Sequence, residues 1–469
     1  MEATATATPS FGTCHFGRAD LGDQRLNRRI VQLADEVTGH PGGTLPDKLR
    51  QPRDLKAFYR LMNNRRLNYQ KVLQPHVQQT LQRMHAHDGV TLIVHDTTTL
   101  DYSTLTSLAE DLGQIGDGHG RGYLCHNSLA VAAESKEVLG LANQILFHRP
   151  KTPPHETKKQ RQQRQTRESR LWKKGSQAVP AAPAERLWVE VADRASDISE
   201  FLDYLEEHRK HYVLRSQHNR RIRLVVEGKQ RQVKLHDWLR TLAEQGRRKV
   251  EVSARPGQPA RTAVVAVAWL QVTIVPPRQA RGEGRGVPLT VWALRAWEIA
   301  PAAGVEGLEW FLLTNVAVAT LADAWQRVDW YCLRWVVEEY HKAMKTGCAI
   351  ESLQFTTEKA LQASIAFLSV VSLWLLWLRS ESRRDDAPTR EAAVMFPAEY
   401  VEMLSLDRYG ESRALTVREF CLALARLGGH QNRKHDGPPG WLVLWRGWTK
   451  LHLLVQGARA AARKKCGQT

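Results

Sequence analysis

Two short apolar runs, Val90–Val94 and Leu187–Ala192, lead almost directly into aspartates, the first through His95 to Asp96 and the second straight to Asp193. Short β-branched and aliphatic runs of this kind are strand-forming. A charge at the end of a buried strand sits at the edge of a sheet, where binding sites collect in mixed α/β folds. Ser128–Ala133 and Val138–Phe147 are further strand-like runs, parted by a polar turn at Glu134–Glu137, and Trp310–Leu313 reads as another core strand. Val328–Thr346 reads as one long helix. These features predict an α/β catalytic-type core.

The flanks read differently. From residue 1 to about 70 the chain is helical in pattern: Leu26, Ile30, Leu33 and Val37 recur at helical spacing, with Arg25, Arg28 and Arg29 largely off that stripe. A Gly/Pro break at 40–46 precedes a second helical pattern, Asp54–Met62. Arginines on an open helix face suit a DNA groove, and a merely solvated face accounts for this stretch equally well. Residues 218–305 alternate strand-like runs (Arg221–Val226, Arg248–Ser253, Ala263–Ile274, Val287–Ala296) with Arg/Gly/Pro-rich turns, as a β-rich insertion would. The stretch 380–390 is a polar linker, and 391–469 is again helical. The expected division is 1–70, 71–379 with an insertion over about 216–306, and 380–469.

Lys plus Arg number 67 against 49 Asp plus Glu, a net charge of +18, which suits a polyanionic partner such as nucleic acid. Lys158–Lys174 is the densest basic segment; Arg161, Arg164, Arg167 and Arg170 recur every third residue, which favours phosphate contact from one helix face. The six cysteines are scattered without zinc-like or disulfide-like spacing, and the N-terminus lacks a secretory pattern. The most apolar run, Ile365–Leu378, is shorter than the roughly 20 residues that span a bilayer and reads as a buried helix. A cytoplasmic protein with no membrane partner is expected.

Three carboxylates then stand out, Asp96, Asp193 and Glu338. Phosphodiester cleavage can use two Mg²⁺ ions, which bind clustered carboxylate oxygens. Singly, either aspartate could equally cap a turn. The helix is more specific: Tyr331, Arg334, Glu338 and Lys345 fall on one face, a poor stripe for a core or for solvent. Glu338 could hold metal while Arg334 and Lys345 meet phosphates. Glu339 is turned about 100° away. An intrahelical ion-pair ladder is the alternative for this stripe.

The segment from Tyr331 through Arg334, Glu338 and Lys342 to Lys345 resembles the Y-x-x-R-x-x-x-E-x-x-x-x-x-x-K signature of bacterial insertion-sequence transposases, and the chain is similar to the IS-four family. Leu21–Gly22–Asp23 with Arg25, His95–Asp96–Thr97–Thr98, Ala192–Asp193–Arg194–Ala195–Ser196–Asp197, Leu424–Gly429 and Leu444–Trp448 resemble other family segments in consistent order. The resemblance implies a ribonuclease H-like core with a β-rich insertion, a helical DNA-end-binding domain carrying Arg25 and Arg28, and a C-terminal dimerisation region. It implies cut-and-paste transposition of double-stranded DNA by a homodimer, through nicking, a hairpin intermediate and strand transfer to target DNA. Asp96, Asp193 and Glu338 would bind two Mg²⁺ ions, with Mn²⁺ as a possible substitute. Tyr331, Arg334, Lys342, Lys345 and Arg215 would contact DNA, and Trp310 would stack on a flipped base; a core tryptophan and a sheet-edge ion pair are the plain alternatives for Trp310 and Arg215. The 158–174 segment departs from the family in being more basic. Two rivals keep the same features: a catalytically silent DNA-binding derivative acting as inhibitor or end-binding protein, and a two-metal nuclease without strand transfer.

Overall fold

The computed structural model describes residues 10–150, 153, 155–157, 160, 164–226, 228–252, 260–276, 286–433 and 436–466. The chain opens with helices α1 (Phe11–Phe16), α2 (Gln24–Gly39), α3 (Leu45–Lys48) and α4 (Pro52–Met62), and α5 (Tyr69–Ala86) leads into a sheet. Asp23 starts α2 by accepting the backbone N–H of Arg25 at 2.8 Å. Ile30, Leu33 and Val37 are buried along α2, while Arg25, Arg28 and Arg29 are exposed.

The strands are β1 (Thr91–Asp101), β2 (Gly113–Ile115), β3 (Gly120–Ala132), β4 (Val138–Phe147), β5 (Trp188–Ala192), β6 (His211–Arg215), β7 (Arg221–Val226), β8 (Lys229–Lys234), β9 (Gly246–Val252), β10 (Arg261–Ile274), β11 (Leu289–Glu298) and β12 (Glu309–Thr314). They make one mixed sheet in the order β2-β3-β1-β5-β6-β12-β11-β10-β7-β8, with β4 on β3 and β9 on β10. The β1–β5 and β5–β6 pairs are parallel. The strand-rich stretch 218–305 forms no separate sheet: β10 and β11 continue the central one through β12.

The remaining helices are α6 (Leu171–Gln177), α7 (Ser199–Glu207), α8 (Leu235–Thr241), α9 (Leu321–Cys332), α10 (Trp335–Lys342), α11 (Glu358–Ser382), α12 (Ala398–Tyr409), α13 (Val417–Leu427) and α14 (Trp441–Cys466). Successive strand residues face opposite sides, so β1 and β5 divide their side chains between two cores. Val94, Val189 and Val191 join Val337 and Tyr340 of α10. Ile93 and Trp188 belong to a smaller cluster, and Ala192 packs with Trp172 of α6 and Phe201 of α7.

The 25-residue helix α11 is the centre of the molecule. It is long and apolar enough to cross a membrane, yet 83% of its apolar window is buried inside the protein. Phe367 stacks on Phe16 (5.2 Å) and meets Phe58 edge-on (5.3 Å), joining α1 and α4; Trp374 meets Trp448 of α14 (5.4 Å). The chain ends also touch: Trp448 donates its indole N–H to the Thr38 carbonyl at 3.0 Å. Trp445 and His452 lie so close to Gly42 and Gly39 that no side chain fits at either glycine.

Three expectations need correction. Strand β1 does not end near Asp96; it pairs with β3 along its whole length to Asp101, because the threonines after Asp96 are β-branched and keep a partner. Val328–Thr346 is not one helix. Backbone bonds from Arg334 N to Tyr331 O and from Val337 N to Arg334 O tighten the chain between α9 and α10, and a π turn, Ala343–Gly347, follows. Among the described residues of 158–174, Gln160 is helical, and a 3₁₀ turn at Glu168–Arg170 leads into α6, so Arg164, Arg167 and Arg170 do not share one helix. These arginines bind protein groups instead, Arg167 to Glu200 at 2.6 Å and Arg164 to Glu156 at 3.5 Å, with Arg170 buried against Gln165. Lys158, Lys159 and Arg161 lie outside the described residues.

Candidate active site

The register of the parallel β1–β5 pair puts two acids side by side. Pairing runs from Thr91–Trp188 to His95–Ala192, so Asp96 and Asp193 are the next residue on each strand. Asp96 continues the β1 face that carries Val94, toward the core shared with α10. Asp193 turns the chain, accepting the Ala195 N–H at 2.9 Å to start the 3₁₀ turn Arg194–Ser196. The third acid, Glu338, is on α10, which Val337 and Tyr340 anchor from below.

One cation serves this cluster. The Arg334 guanidinium donates to Asp96 Oδ2 at 3.2 Å and to Glu338 Oε1, one helical turn on. Burial pushes Asp96 up to about 6, and the nearby charges of Asp193 and Glu338 add to the rise; Arg334 and the Thr97 N–H oppose it. The Thr97 N–H reaches Asp96 Oδ1 at 2.8 Å. Among the described residues, no group of three His, Cys, Asp or Glu side chains is gathered closely enough to hold a metal ion. The three carboxylates nonetheless suit a hard divalent cation by donor type. Burial is the main cause of the rise at Asp96, and the Arg334 guanidinium is the positive charge beside Asp96 and Glu338.

The other sequence candidates are placed around this cluster or away from it. Tyr331 is buried and meets half-buried Trp310 edge-on, 5.5 Å between ring centres. Lys345 lies within the π turn and pairs with Glu351 at 3.2 Å. Lys342 is exposed, its ammonium 5.2 Å above the Trp335 ring. Arg215 Nη2 donates to the Glu309 carbonyl at 3.4 Å. Arg25 and Arg28 sit on α2 and make no contact with the acids. Glu339 points elsewhere, to Arg379 of α11.

Two features escaped the sequence reading. Trp335, next to Arg334, is 49% exposed, an unusual position for so large an apolar ring. Beneath the acids, His95 is completely buried against Glu190. Glu190 was the lone charge in an otherwise apolar strand, and such a charge requires a buried partner; that signal was available.

Two family models match parts of the chain. Residues 10–67 match the family model described as Transposase DNA-binding, and residues 182–374 match the model described as Transposase DDE domain.

Proposed function

We propose that this chain, which carries a transposase DNA-binding domain and a transposase DDE domain, is a metal-dependent DNA transposase of the IS-four type that nicks its element's ends, excises it and joins the freed 3′-OH ends to target DNA. The observation that carries the reading is that Asp96 and Glu338 share the Arg334 guanidinium, with Asp193 close enough for its charge to act on Asp96. The DDE domain implies a ribonuclease H-like core, and the IS-four resemblance adds a homodimer working on paired ends.

In this reading Asp96, Asp193 and Glu338 hold the divalent cation, Mg²⁺ by preference. When bound, that cation would supply activation of the attacking oxygen and charge neutralisation at the phosphate. The rest is the work of the chain's own groups. Arg334 presents a planar fork suited to a phosphate; on meeting a strand it would turn from Asp96 and Glu338 and leave their oxygens to the cation. Lys342 and Lys345 add positive charge along the same edge, for the backbone of the strand. Trp310, Tyr331 and exposed Trp335 offer aromatic faces to an unstacked base near the cleaved end. The exposed arginines of α2, Arg25 and Arg28, would read the transposon end.

The test is cleavage of a labelled duplex carrying the element's own flanking ends, with and without Mg²⁺, beside Asp193→Ala. Nicks that require both Mg²⁺ and Asp193 are expected, and a hairpin product would extend the reading to the full excision route. Sequence-specific binding with no cleavage would move the assignment to a silent end-binding protein.

A further inference from the structure

Behind the acid cluster, on the opposite face of the same two strands, lies a second group of charges that the chemistry above does not use. His95 Nε2 meets Glu190 Oε2, and His95 Nδ1 is 2.9 Å from Ser128 Oγ on β3. The other oxygen of Glu190 accepts from Ser176 Oγ of α6 at 2.7 Å and from Lys210 Nζ at 3.0 Å. The same ammonium donates to the carbonyls of Ser176 (2.7 Å) and Val179 (2.9 Å). Thr97, on the far side of Asp96, binds His126 Nδ1 at 2.8 Å, and the His126 ring stacks on His95 with 5.6 Å between centres. Helix α6 can lie this close only because residue 175 is glycine; a Cβ there would stand 2.5 Å from His126 Nε2.

This network brackets the acids. His95 and Thr97 hold the residues on either side of Asp96, and Glu190 stands three residues before Asp193. Buried charge is a poor way to hold two strands together, since well-packed apolar residues of similar volume are often as stable or more so. Charged hydrogen bonds differ from apolar contacts in having direction. Burial would raise Glu190, but His95, Lys210 and Ser176 hold it at about 2, so it is an anion at any ordinary pH.

We infer that Glu190 and His95 are positioning residues that set the distance and orientation of Asp96 against Asp193, so that the two carboxylates can share one divalent cation. The inference rests on the transposase reading. Outer groups of this kind typically change metal affinity by 10–100-fold when removed.

The full-length chain, bound to an end duplex, would be titrated with Mn²⁺ and followed by the loss of free-Mn²⁺ electron paramagnetic resonance signal, alongside end binding in gel shifts. Glu190→Gln keeps the shape and removes the charge. Its Mn²⁺ dissociation constant should rise about tenfold or more while end binding stays within about twofold. Ser128→Ala is a milder change and keeps the test alive should Glu190→Gln fold poorly; a rise of a few fold is expected. A purely structural role would lower the folded fraction and the signal amplitude together, leaving the Mn²⁺ midpoint where it was. An unmoved midpoint in folded protein overturns the inference while leaving the transposase reading intact. A wild-type chain that binds its end duplex yet takes up no Mn²⁺ overturns both.

Discussion

On one face of the β1–β5 pair, Asp96 and Glu338 share a single guanidinium, and burial with the nearby charges of Asp193 and Glu338 pushes Asp96 up to about 6. On the other face Glu190 has His95, Ser176 and Lys210 as donors and is held at about 2. The same strands, through the two-residue alternation of their side chains, present one acid group with a single guanidinium and one that is fully supplied. On the proposed function, the first group would take up a divalent cation. The opposite side has no such duty and is closed by hydrogen bonds.

The contrast can be broken most severely from the closed side. Glu190→Ala should cost about 3–5 kcal/mol, because it leaves a buried ammonium and imidazole without their anion, whereas Asp96→Asn should cost little or stabilise. Urea denaturation without divalent cations compares the two. The pH dependence should separate them further. Glu190 sits below its ordinary 4.5, so its contribution is complete above about pH 4.5 and is lost as the pH falls toward 2. Asp96 sits above its ordinary 3.8, so the folded chain holds its proton more tightly than the unfolded one. Its contribution therefore declines as the pH rises from about 4 to about 6. Glu190→Gln should flatten the acid limb, and Asp96→Asn the decline above pH 4.

Next in size, Glu338→Gln should lower end cleavage by more than about 100-fold, exceeding the usual effect of an outer-shell change, with end binding in gel shifts nearly unaltered. Persistent nicking would remove Glu338 from the site. Arg334→Gln should sharpen the contrast by opening the acid cluster: the DNA-free chain should bind Mn²⁺ several-fold more tightly than wild type, read by calorimetry, although its cleavage falls. The smallest effect expected is that of Lys345→Ala, a few-fold loss of DNA affinity and a salt slope reduced by about 1. An unchanged slope would leave Lys345 as the partner of Glu351 alone.

The strand–aspartate junctions are readable because β1 and β5 are buried on both faces up to His95 and Ala192, and so are spelled mostly in apolar residues. What escaped was set by tertiary pairing. Strand β8, Lys229–Lys234, is almost wholly exposed at the sheet edge and carries no apolar pattern at all. The break between α9 and α10 leaves Leu333 and Arg334 with helical backbone angles, so periodicity passes over it. The three-residue repeat of Arg164, Arg167 and Arg170 looked like a helix face; distant Glu200 and nearby Glu156 and Gln165 claim those side chains instead. His95 stands beside Asp96 in the sequence, and only the fold shows that its own partner lies 95 residues on.

The seam between the first helices and the last has a consequence for synthesis. The Thr38 carbonyl waits for an indole 410 residues later. At 5–20 residues per second that delay is about 20–80 s. A nascent chain thus carries its DNA-reading helices outside the ribosome, with the Thr38–Gly42 end open, for most of its own translation. Whatever those helices meet in that interval, they meet before the last helix exists to close that end.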